Sequence, residues 1–400
     1  MPRPPSSALL PLILLLLPAA TVPQGNGAQG DGIATLAPDS DTRWVPFDLT
    51  PGNQIRFTLT LDARPVTAIL DTGVSHSVLA RNSPAADPKR ITDGGQATAI
   101  GGMVAIGWLP TDRLTLGGLT RRGGGVTVAD LPALATGSAR AVDMLVGRDI
   151  TAGQALDIDY ANHRFRLIPS GQLPYPGALA PLGISPGRRV YESAATVAGR
   201  RVAPLVVDTG DGAALTLSTP AWRATRSRDL PSTTTISFGL AGPVTSTLAI
   251  LPVLRIGERT AHNVEVRVEP PGGFSETIGV AGRLGSGFLQ NYRVLLDPSA
   301  GRMVLSPGPQ ADVPPLRSTS GLLVGLEPGK LKVLHVMRGS PAATDGWQGG
   351  ETICRINDAP VPADYAGSTV ADWSIAAPGT VTRLGLCDGS TRTLTARRFY

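Results

Sequence analysis

The chain has 400 residues, 42% hydrophobic and 17% charged, the balance of a folded globular protein and not of a disordered one. Its 48 glycines and 36 prolines interrupt helical periodicity, and no long Ala/Glu/Lys/Leu-rich stretch occurs, which excludes helical bundles and coiled coils. The formal charge of +5 rests on arginine, because only Lys89, Lys330 and Lys332 are lysines; the basic residues stand in scattered pairs such as Arg121-Arg122 and Arg200-Arg201, with no runs and no interleaved aromatics, so no nucleic-acid partner is expected.

The longest apolar run, Leu9 to Ala20, is too short to cross a bilayer as a helix, which needs about 20 residues. It follows Arg3 and ends in small residues, the layout of an export signal, so residues 1–28 read as a signal peptide and leader. A periplasmic or secreted protein with no integral membrane span is expected, folding from near Trp44 onward.

An internal repeat organises the next 260 or so residues. Ala68-Ile69-Leu70-Asp71-Thr72-Gly73 recurs as Leu205-Val206-Val207-Asp208-Thr209-Gly210, and Leu156-Asp157-Ile158-Asp159 recurs as Val294-Leu295-Leu296-Asp297 at nearly the same offset. Residues 45–168 and 190–306 are therefore two copies of one unit, joined by a Pro/Gly-rich linker at 169–189. Stretches such as Ile55 to Leu61 and Val264 to Val268 alternate apolar and polar residues, the period of half-buried strands, and Gly101-Gly102, Gly117-Gly118 and Gly239 to Gly242 supply hairpin turns. The fold class is mainly β. A second Pro-rich stretch, 307–319, precedes residues 320–400, which match neither copy and form a small separate domain.

The repeated Asp-Thr-Gly carries the chemistry. A carboxylate placed just after a wholly apolar strand is costly unless it is used. Gly73 and Gly210 allow a tight turn, and Thr72 and Thr209 can hydrogen-bond inward. If the copies pack about a pseudo-twofold axis, Asp71 and Asp208 meet, share one proton and titrate as a unit. Such a pair can take a proton from water with one member and give a proton to a carbonyl with the other, which is amide hydrolysis without metal or cofactor. His76, between Ser75 and Ser77, reads as a turn residue, since neighbours on a strand face opposite ways; Asp157 and Asp159 read as structural. The four histidines stand singly, and Cys354 and Cys387 have no metal-ligand spacing; the two cysteines either form one bridge or remain thiols.

The two Asp-Thr-Gly loops, the later Leu145-Val146-Gly147-Arg148-Asp149 and Arg283-Leu284-Gly285-Ser286-Gly287, and the glycine-turned hairpins resemble retropepsin-like aspartic proteases, in particular the bacterial type with two such units in one chain and a C-terminal PDZ domain. The resemblance implies two duplicated β-barrel lobes plus a small PDZ domain, Asp71 and Asp208 as catalytic pair, interlocking Thr72 and Thr209, and covering flaps at Gly94 to Trp108 and Thr233 to Leu248. It departs at Val74 and Asp211, which follow the triplets, and at Arg283, where an apolar residue is expected. Asp211 either faces the pair and raises its pKa values or faces solvent and caps a turn. Neither flap carries a tyrosine.

In the last domain, Gly339 to Asp358 resembles the PDZ segment in which Ser-Pro-Ala-Ala opens a short helix, with Ser340 as N-cap and Pro341 at the first helical position, followed by a strand that buries Ile353 and Ile356. Such domains bind an extended or C-terminal peptide at a sheet edge, here Gly321-Leu322-Leu323-Val324. The sequence-based expectation is a monomeric endopeptidase with an intramolecular pseudo-dimer, acting on polypeptides at mildly acidic pH; a peptide-binding or scaffolding protein on the same fold is the alternative.

Overall fold

The computed structural model describes residues 32–136, 141–225, 227, 229–365 and 368–400, so the signal read at 1–28 lies outside the described residues. The described chain is mainly β, its strands arranged in four sheets. In the first copy, Ile55–Leu61 buries every second side chain and turns at Asp62 and Ala63, both at positive φ, into Arg64–Leu70. In the second, Tyr191–Val197 turns at Ala198 and Gly199, again both at positive φ, into Arg200–Asp208. These are the two-residue turns whose twist suits a hairpin. The strand before each Asp-Thr-Gly is then sandwiched: Arg64–Leu70 pairs in parallel with Met144–Val146, and Arg200–Asp208 pairs in parallel with Gly282–Gly285.

The copies meet in a six-stranded sheet whose central pair is Gln154–Asp159 against Tyr292–Asp297. The register is self-complementary. Leu156 faces Leu296 and Ile158 faces Val294, so moving each partner by the repeat offset maps one pair onto the other. Asp157 is fully buried in this sheet, held by Arg166 at 2.9 Å and by Arg293 at 2.9 Å, and Arg164 and Arg166 stack on Trp44; its role is to tie the copies together. A single hydrophobic core runs through both copies, whereas residues 322–394 enclose a core of their own around Trp347, Ile353 and Leu384.

Two boundaries differ from expectation. Ordered structure begins before Trp44, because Ile33–Leu36 pairs with Leu119–Arg122 at the edge of the first sheet; its side chains are mostly exposed, so no apolar alternation announced it. The Pro/Gly-rich stretch 169–189 also contains strands: Ala178–Pro181 borders the shared sheet against Arg302–Pro307, and Gly183–Ile184 starts the second copy's sheet. Proline is tolerated there because an edge strand leaves one side unpaired.

Cys354 and Cys387 form the bridge, the first of the two states their sequence allows. Ile353 pairs with Leu386 on neighbouring strands, which brings the sulfurs together. Closing a loop with a sequence separation of 33 residues should stabilise this unit by about 3–4 kcal/mol. The double variant Cys354→Ser/Cys387→Ser is expected to make residues 320–400 the first region cut in limited proteolysis, with the two copies left intact.

Candidate active site

Both Asp-Thr-Gly loops leave strands buried on both faces, and Ile69, Leu70, Val206 and Val207 are at most 2% exposed. The loops reach each other through their threonines. Thr72 Oγ1 accepts from Thr209 N at 3.0 Å and donates to Val207 O at 2.7 Å; Thr209 Oγ1 accepts from Thr72 N at 3.0 Å and donates to Leu70 O at 2.7 Å. Four buried bonds thus lock the loops reciprocally. Neither Gly73 nor Gly210 has room for a side chain: a Cβ on Gly73 would collide with the Asp208 carboxyl, and one on Gly210 with that of Asp71. Each glycine is therefore what lets the opposite carboxyl come in.

The two carboxyls lie across the meeting point of the loops, each against the other loop's glycine, and their environments are unequal. Asp71 is supported by one main-chain donor, Gly73 N at 3.1 Å. Burial, and next the charge on Asp208, push Asp71 well above the usual carboxylate range. Asp208 accepts from Gly210 N at 2.9 Å and Asp211 N at 3.1 Å, and Arg283 Nε lies 3.5 Å from its Oδ2. Burial and the Asp211 charge raise Asp208, Arg283 and the two amides oppose them, and the balance is a pKa of about 6. Asp71, with one amide donor and no cation beside it, is pushed up further than Asp208, so the pair titrates as a unit whose retained proton favours Asp71.

Asp211 takes the first of the two arrangements expected for it, since its charge raises both members of the pair, and Arg283 stands where an apolar residue is expected. Asp211 lies beside the pair with its side chain 9% exposed, where it accepts from Ala213 N at 3.0 Å, from Thr216 Oγ1 at 2.8 Å and from Arg283 Nε at 3.0 Å. Burial pushes it up, but Arg283 and Arg267 outweigh that and hold it below its ordinary value. Arg283 takes the apolar position because a ring of acceptors surrounds it: Glu269 Oε1 lies 2.7 Å and Ser275 Oγ 2.9 Å from its Nη1. Sequence reasoning also missed Gln54 and Asn53 of the first copy, which brace the second loop from across the cleft through Gly210 O at 2.7 Å and Gly212 O at 3.0 Å. No repeat signal pointed to them, since Tyr191 stands at the position matching Gln54.

Asp71 and Asp208 open into a cleft of about 640 Å³. Its roof is two hairpins, Thr92–Ala99 with Gly102–Pro110 and Ser232–Gly239 with Gly242–Ile256. Their tips touch, Ala241 N donating to Ile100 O at 3.2 Å. His76 lines the cleft while Ser77 is occupied elsewhere, its hydroxyl donating to Asp149 at 2.7 Å. Among the described residues no group of three or more His, Cys, Asp or Glu is placed to hold a metal ion.

Gly321, Leu322, Leu323 and Val324 are in a different place. Leu322–Glu327 is the edge strand of the fourth sheet and lines no part of the cleft. That sheet rests on the second roof hairpin: Thr233 Oγ1 donates to Arg338 O at 2.8 Å, Thr234 Oγ1 lies 2.8 Å from His335 Nε2, and Leu248, Met337 and Tyr400 pack together, with Leu323 against them. Ser340 caps Pro341–Thr344 by accepting from Ala343 N at 3.1 Å, and Gly321 lies against it with no space for a side chain.

Because the folded pKa of Asp71 is raised, folding stability falls as pH climbs from its unfolded value through the folded one. Asp71→Asn removes that loss. The variant is expected to exceed the wild type in stability at pH 7 and to lose the advantage near pH 3, as read by denaturant titration at the two pH values.

No protein-family model matches this chain, and no curated protein matches it either.

Proposed function

We propose that this chain is an exported aspartic-type endopeptidase, built from two retropepsin-like lobes and a PDZ-type unit, that hydrolyses peptide bonds between Asp71 and Asp208. The observation that carries this reading is the pair of carboxyls set against each other's loops, locked by the reciprocal Thr72 and Thr209 bonds beneath a roofed cleft. In the proposed reaction, water sits between the carboxyls. Asp208, ionised, takes a proton from the water as its oxygen bonds to the peptide carbon, and Asp71 gives its proton to the carbonyl oxygen. The tetrahedral diol then collapses. Asp71 regains a proton from one hydroxyl, the C–N bond breaks, and the nitrogen leaves with the proton from Asp208.

The protonation states set the pH window. Below about 6 Asp208 is protonated and the base is lost, so the rate falls as pH falls through that value; the upper limit lies at the raised pKa of Asp71. The Cys354–Cys387 bond supports an oxidising compartment, and the Ser340-capped turn beside the open edge Leu322–Glu327 supports peptide binding by strand addition.

Digestion of an unfolded protein, followed across pH, is the test. Cleavage is expected to be blocked by a statine-type mimic of the diol and to drop by about 10²–10⁴-fold or more in Asp71→Asn and in Asp208→Asn. Cleavage unchanged in both variants would falsify the reading. A chain that retains the mimic and cleaves nothing would instead be a peptide-binding protein on the same cleft. Since both aspartates belong to one chain, specific activity is expected to stay constant on serial dilution; a fall with dilution would mean that the working site needs two chains.

A further inference from the structure

Arg283 occupies the position that Leu145 holds in the first copy, because Leu145 neighbours the strand into Asp71 in the same register in which Arg283 neighbours the strand into Asp208. One side of the carboxyl pair therefore carries an arginine and the other a leucine. The arginine is 4% exposed and cannot swing away. Nη1 is held by Glu269 Oε1 and Ser275 Oγ, Glu269 is itself held by Ser275 N at 2.8 Å, and Nε is shared between Asp211 Oδ2 at 3.0 Å and Asp208 Oδ2 at 3.5 Å.

Resting on the proposed proteolytic reading, we propose that Arg283 and Asp211 act together as a positioning pair that breaks the symmetry of the two aspartates, fixing Asp208 as the base and Asp71 as the acid. Arg283 favours the anion on Asp208, which already accepts two amide protons where Asp71 accepts one. Asp211 works in the opposite sense. Its negative charge, next to the same arginine, keeps Asp208 basic enough to take a proton from water. The charged groups facing Asp208 are Asp71 from the opposite loop, Asp211 from its own, Arg283 from the neighbouring strand, and Arg267 and Glu269 beyond it; Arg188, paired with Glu192, and His76 line the same cavity. The two members of the pair thus predict opposite effects, which a merely structural role does not.

The experiment compares wild type, Arg283→Gln, Arg283→Lys and Asp211→Asn in two readouts: the acid limb of kcat/KM against pH on a peptide substrate, and carboxyl titration by carbon-13 NMR of aspartate-labelled protein. Arg283→Gln is expected to move the lower titration of the pair up by about one pH unit, Arg283→Lys to bring it back toward wild type, and Asp211→Asn to move it down by about one unit. A uniform loss of kcat with the limb unmoved, or shifts of the same sign in Arg283→Gln and Asp211→Asn, overturns the proposal. If Arg283→Gln does not fold, the downward shift in Asp211→Asn decides, and its absence counts against the pair. If the wild type cleaves nothing, the proteolytic reading fails on its own, and the NMR titrations still show whether Arg283 and Asp211 set the asymmetry.

Discussion

Two threonine hydroxyls, each accepting from the opposite loop and donating to the strand behind that loop, hold the molecule's least favourable contact in place. Carboxyls brought together away from water repel each other and lose hydration. Here the cost is offset by four buried hydrogen bonds, by the glycines that leave space for the opposing acid, and by the proton the pair shares. Everything outside the loops makes that arrangement rigid. The parallel strands on either side fix where each loop leaves the core, and the self-complementary pair in the shared sheet fixes one copy against the other.

The proposed function follows from the same contact. A pair that shares one proton can be acid and base in a single step, and a roof whose tips touch shields that step from solvent. The fourth sheet bears on this roof from outside, through Thr233 and Thr234 and the Leu248–Met337–Tyr400 cluster, so the unit proposed to hold a peptide end rests on a strand of the cover of the cleft.

Much of this was legible in the repeat. Identical triplets after apolar strands at one offset located the two loops, and the alternation of Ile55–Leu61 and the glycine pairs located strands and turns. Features without a repeated partner were not legible. Gln54 braces a loop 156 residues away, and its counterpart is a tyrosine. Arg283 read as a lapse of an apolar pattern, because its acceptors lie 72 and 14 residues away and register alone brings them around it. Ile33–Leu36 has exposed side chains, so its pairing left no trace in hydropathy.

A site assembled from two identical subunits is bound to its symmetry: whatever mutation places on one side appears on the other. An arginine at the Arg283 position would then be duplicated, setting two cations beside a pair that holds one negative charge. Joining both halves in a single polypeptide lifts that restriction. Each side is free to vary alone, and the leucine opposite Arg283 records that freedom.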